Sequence, residues 1–151
     1  MTFAEKIDAG IREAMKARDQ TRLASLRLVK AALTTRDIET GRALDEAESL
    51  QVGASLAKQR RESIEQFTAG NRPDLVEKEQ AYLAILKSLL PPPLTDEELV
   101  ALVNAAMEET GASSMKDMGR VMKAAMSGAS GRSIDGKRMN DVVKRRLAPG
   151  G

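Results

Sequence analysis

The chain has no cysteine and no histidine, and only three aromatic residues, Phe3, Phe67 and Tyr82, among its 151 residues. Without histidine there is no Ser/His/Asp triad, without cysteine no thiolate nucleophile and no disulfide, and without either no zinc site of the usual kind. Long apolar runs are also missing: no window approaches eighteen uncharged apolar residues, so no membrane span is expected. Met1 to Lys6 lacks the basic start and apolar stretch of a secretory leader. The expectation is a cytoplasmic protein. What is present is globular composition, 42% apolar and 30% charged. A core with so few rings must be built from Leu, Val, Ile, Ala and the eight Met.

Apolar residues recur at spacings of three and four, so nearly every segment reads as helix and the fold class is all-α. Thr2 with Glu5 suggests a capping box, followed by a stripe of Phe3, Ile7, Ile11, Ala14 and Met15 to about Ala17. Asp19 or Thr21 caps a second helix carrying Leu23, Leu26, Val29 and Leu33, stopped by Gly41. Asp45 with Glu48 opens a third that runs through Leu56, Ile64 and Phe67 to Gly70. Pro73 and Asp74 start a fourth, with Leu75, Val76, Tyr82, Leu83, Leu86, Leu89 and Leu90. Pro91, Pro92 and Pro93 cannot sit together inside a helix, because each removes an amide donor and crowds the preceding turn. They mark a boundary, with an N-terminal domain of about four helices over 1–90, a stiff junction at 91–95 and a second domain over 96–151.

The second domain reads as three helices. Thr95 with Glu98 forms a capping box, and Leu94 with Leu99 a hydrophobic staple, ahead of Leu99, Leu102, Val103, Ala106 and Met107. Ser114 with Asp117 opens the sixth helix, where Met118, Met122 and Met126 line up as core filling and Gly119 permits close packing. After a loose stretch from Ser127 to Gly131, Asp135 caps a last helix with Met139, Val142, Val143 and Leu147 inward.

Net charge is +2, but its distribution is uneven: residues 91–111 hold five acids and no base, while residues 112–151 hold nine bases and three acids. Lys116, Arg120 and Lys123 fall at i, i+4 and i+7 on the sixth helix; Lys137 and Lys144 share one edge of the last helix, Arg138 and Arg145 the other. Arg132 and Arg146 extend this set. A wet side of an amphipathic helix is the plain explanation, and the scarcity of compensating acids is what favours phosphate contacts instead. Helix N-termini near Ser114 and Asp135 offer further amide donors. Residues 91–151 contain no aromatic platform for stacking single strands, and the 127–134 connection is too long for a helix-turn-helix, which leaves recognition of a folded RNA by its backbone. Lys58, Arg60 and Arg61 form a secondary basic cluster. The carboxylates occupy caps and solvent-facing positions, so no catalytic pair, metal site or cofactor site is expected. The glycines at 128 and 131 lack the Lys-Ser/Thr ending of a P-loop.

The stretch Asn71-Arg72-Pro73-Asp74-Leu75-Val76-Glu77-Lys78-Glu79, then Leu86, Leu90-Pro91 and Leu94-Thr95-Asp96-Glu97-Glu98-Leu99, resembles the GatB/YqeY family. So do Gly111-Ala112-Ser113-Ser114, Asp117-Met118-Gly119-Arg120-Val121-Met122, Gly131 and Asp135-Gly136-Lys137. The likeness runs across nearly the whole chain, with three prolines and Ile134 as small departures. It implies a free-standing helical protein whose second domain is similar to the tail of the GatB subunit of tRNA-dependent amidotransferases, hence tRNA as partner, with an amidotransferase or synthetase as a possible protein partner. The family label is carbon-nitrogen ligase with glutamine as nitrogen donor. Since the chain holds no self-contained catalytic site, the resemblance implies recognition rather than catalysis. The alternatives are a protein-interaction module whose N-terminal helices dock an enzyme, or a noncatalytic component of such an amidotransferase.

Overall fold

The computed structural model describes residues 1–129, 131–132 and 134–148, and all regular structure among them is helical. Contacts divide the chain into two compact units, Met1–Pro91 and Pro92–Gly151. Among the described residues no helix is long and apolar enough to cross a membrane.

The first unit is a pair of helical hairpins, α1 (Phe3–Ala17) with α2 (Gln20–Thr40), and α3 (Glu46–Ala69) with α4 (Pro73–Leu89). The turn between α1 and α2 is short because Arg18 takes the left-handed conformation at φ 56° and Asp19 at once accepts the Arg22 amide at 3.0 Å. Asn71, a residue that tolerates this region better than most, turns the chain between α3 and α4 at φ 54°. Gly41 ends α2 at φ 72°, and Arg42 then grips Glu48 with two bonds of 2.7 and 2.9 Å. The Asp45–Glu48 capping box forms as expected.

At the first helix only half of the expected box exists: Thr2 accepts the Glu5 amide without a return bond from the Thr2 amide to Glu5, and the next amide, that of Phe3, donates to the Glu46 carboxylate at 2.9 and 3.1 Å. A contact 43 residues distant thus closes the start of α1. The Phe3 ring is 1% exposed and lies against α3 where that helix carries Gly53; a methyl there would fall 2.8 Å from the ring and 2.7 Å from Leu90. Around it are Ile7, Leu26, Val29, Leu83 and Leu86. In α3 the buried positions are Ser49, Leu50, Gly53 and Ala57, whereas Leu56 and Ile64 only pack at the edge. Met15, expected inside, is 55% exposed.

The second unit contains α5 (Asp96–Thr110), a single 3-10 turn (Met115–Asp117), α6 (Met118–Gly128) and α7 (Gly136–Leu147). Its core is Leu99, Val103, Ala106, Val121, Ala125, Met139, Val143 and Leu147. Two expectations fail here. Met118 and Met122 are flanking contacts and Met126 is 53% exposed, because Val121 and Ala125 take the inward face. Gly119 faces open space, so close packing does not explain it. Ser127 and Gly128 belong to α6 rather than to a loose connection, while Ser130 and residues 149–151 lie outside the described residues.

The Thr95–Glu98 box forms, and Glu98 has a second task. Its carboxylate takes both guanidinium nitrogens of Arg132, whose remaining N–H groups donate to the Pro92 and Pro93 carbonyls at 3.1 and 3.2 Å. This clamp, together with the Thr95 amide, holds Glu98 down to about 2 from an ordinary 4.5. A depressed carboxyl contributes stability that is complete above its unfolded pKa and is lost as pH falls towards the folded one. Between pH 4.5 and 2 the second unit should therefore lose stability more steeply in the native protein than in Arg132→Ala. Parallel melting-temperature profiles of the two proteins across that window would refute the assignment.

Candidate functional site

The nine cations expected to form the basic surface separate into two groups. Arg132 is spent on its clamp. Arg138 pairs with Asp96 at the start of α5, and Arg146 donates to Asn104 farther along it. Both partners advance by eight residues together, so α7 runs parallel to α5 and turns one arginine edge onto that helix. Arg120 reaches back to Asp117. These four arginines hold the unit together or lie against its own acids.

Lys116, Lys123, Lys137, Lys144 and Arg145 are exposed, and among the described residues they make no ion pair. Lys137 and Lys144 stand two turns apart on α7, about 10 Å along the axis. Asp141 lies between them on the same side and trims the field without abolishing it. The separation follows from patterning: α5 supplies Asp96 and Asn104 along the edge that α7 faces, and the cations left over are the ones without such a partner.

The amide donors expected at the helix starts are already used. Asp117 accepts the Ser113 amide at 3.0 Å and the Ser114 amide at 3.4 Å, contacts that with Arg120 hold its carboxyl below the usual range. Asp135 accepts the amides of Lys137 and Arg138 at 3.1 and 3.3 Å. Neither end is open to an anion, so side-chain charge alone carries the surface.

Elsewhere in the second unit, Leu94, Ala101, Leu102, Ala129 and the Glu98–Arg132 pair line a shallow groove of about 390 Å³. Its floor is apolar and it brings no nucleophile or acid–base pair together. In the first unit a second groove of about 480 Å³ lies between α2 and α3, walled by Thr35, Arg36, Glu39, Gln51, Ser55 and Gln59 over Ala32, Val52 and Leu56. Sequence reasoning did not find it, because it arises from the divergence of two helices rather than from any motif. Of the secondary cluster, Arg60 is half-buried: it pairs with Glu79 at 3.0 Å and lies 5.5 Å from the centre of the Tyr82 ring.

Comparison with known proteins agrees with the residues that prompted the family resemblance. Residues 4–147 match the family described as Yqey-like protein. Relatives named "Altered inheritance of mitochondria protein 41, mitochondrial" include one from Pyrenophora tritici-repentis, 32% identical over 91% of this chain and 79% of its own length. Another, from Lachancea thermotolerans, is 32% identical over 66% of this chain and 54% of its own, and one from Eremothecium gossypii is 31% identical over 66% and 56%. Against the latter two the chain spans about half the relative's length. Their mitochondrial designation overturns the cytoplasmic expectation, which rested on a composition that says how a chain folds and not where it resides. With its match running from residue 4 to residue 147, the chain belongs to the YqeY-like protein family.

Proposed function

We propose that this protein is a noncatalytic accessory factor that binds tRNA through the second unit, with Lys116, Lys123, Lys137, Lys144 and Arg145 on backbone phosphates. The observation that carries this reading is the surplus of exposed cations left after α5, Asp117 and Glu98 have taken their arginines. The class of RNA comes from what the sequence resemblance implies, that residues 96–151 are similar to the GatB tail. Lysine heads on flexible stems suit a curved backbone, and without aromatic platforms there is nothing on which to stack a base. Chemistry on the RNA or its acyl group would belong to a partner.

The test is a titration of unfractionated tRNA at several salt concentrations, comparing the full chain with a variant in which the five cations are Gln. Each phosphate contact contributes about 0.9 to the slope of log affinity against log salt on a duplex, so the slope should fall by about 4 to 5. An unchanged slope would remove the reading, as would ammonia release from glutamine by the purified chain.

A docking role for the first unit is favoured by one specific feature. Ala24, Leu28, Ala31, Thr35 and Ile38 repeat at four and three along the outer face of α2, with Leu28 60% and Ile38 76% exposed. That spacing is the seam of a helix awaiting another helix.

A further inference from the structure

The first unit has its own positive stretch, at the end of the α1–α2 hairpin that holds the turn. Residues 12–30 hold six bases and two acids, while residues 44–90 hold six and eight. Of those two acids, Asp19 is occupied by the Arg22 amide that it caps. Lys30 on α2 bonds Asp8 on α1 at 2.7 Å, which fixes the register of the antiparallel pair. Arg12 and Lys16 continue the line of Asp8 at four-residue steps, and Arg27 lies one turn from Lys30 on α2, so Arg12 and Arg27 advance along the same seam. Arg18 closes it at the turn. Arg12, Lys16, Arg18 and Arg27 are exposed, and among the described residues none of them forms an ion pair.

We infer that this α1–α2 seam is a second phosphate-binding surface that takes another stretch of the same RNA backbone. The inference rests on the RNA reading above and adds to it a partner contact in the first unit. From Arg12 to Lys16 the helix rises about 6 Å, and the whole seam covers about 12 Å, room for several phosphates on one side of a helical RNA. The α1–α2 seam has no ring on which to stack a base, since Phe3 and Tyr82 are buried in the core and the third ring, Phe67, belongs to α3. A single strand held by stacking is therefore a poorer occupant than a duplex read by shape.

The experiment uses the full chain and unfractionated tRNA. Arg12→Glu/Lys16→Glu/Arg27→Glu should lower the salt slope by about 2 to 3 and weaken binding at least about tenfold at moderate salt. Lys58→Glu/Lys78→Glu/Lys87→Glu, which changes net charge equally on exposed positions of α3 and α4, should leave the slope within about half a unit of the parent. The corresponding Gln triple at 12, 16 and 27 should repeat the loss in slope if charge reversal harms the helices. Equal losses in both Glu triples would show an effect of net charge only and overturn the seam. Unaltered binding by the α1–α2 variants, with the parent protein still binding, would overturn the seam and leave the second unit's role standing. Absence of binding by the parent would remove both.

Discussion

Replacing Phe3 by Ala will lower the stability of the first unit by about 3–5 kcal/mol, the cost of deleting a fully buried ring. The residue stands at the first position of α1, where a helix end would ordinarily fray. It is held by its own amide on Glu46 and by its ring against Gly53, so truncation removes the contact that ties α1 to α3 while the amide bond remains. The reciprocal change, Gly53→Val, overfills the same space and should cost about 1–3 kcal/mol even though Gly is itself a poor helix former. The two positions are therefore coupled. Phe3→Leu shortens the group that a methyl at 53 would strike, so Phe3→Leu/Gly53→Ala should be less destabilised than the sum of the single changes by more than about 0.5 kcal/mol. Urea unfolding followed by helicity gives all of these values from midpoints at constant slope. Simple additivity would show that Leu90, the other neighbour of that methyl, yields instead.

Met139→Ala should have the second large effect, about 2–5 kcal/mol, and it should be confined to the second unit. Met139 is 0% exposed and is the largest side chain at the centre of a small core of Leu, Val and Ala. A domain of some 60 residues has only a few kcal/mol of stability, so this loss is enough to unfold it while residues 1–91 stay helical. Hydrogen exchange should show α5, α6 and α7 exchanging together and α1 to α4 protected as before. Binding of tRNA should fall to what the α1–α2 seam alone provides, because the exposed lysines then belong to a disordered segment. A Met139→Ala protein with native protection in α7 would mean that the core repacks around the gap, and its unchanged RNA affinity would follow.

The all-helical class, the helix starts at Asp19, Asp45, Thr95 and Asp135, and the stop at Gly41 were legible because capping is local chemistry within four residues. What escaped was set at longer range. Gly53 looks like a weak link in α3 until Phe3 arrives beside it, and the inward face of α6 belongs to Val121 and Ala125 while Met118 and Met122 flank the core. The basic residues were all visible in the sequence, but their division was not: whether an arginine is a strut or an open cation depends on which carboxylates α5 brings alongside. Arg132 is the clearest instance, since its acceptors at Pro92, Pro93 and Glu98 lie 34 to 40 residues earlier.

The parallel placement of α5 and α7 bears on how the protein is made. An emerging chain can pair α5 with α6 as soon as both have left the ribosome, yet Val103 and Val121 then lack the Met139 side of their core, and Asp96 and Glu98 wait for arginines not yet translated. The unit can finish folding only when α7 has left the ribosome, so at synthesis rates of about 5–20 residues per second the half-built hairpin stays open for seconds while the first unit is already complete. Nascent-chain folding should accordingly proceed in two steps, the second one held back until α7 emerges.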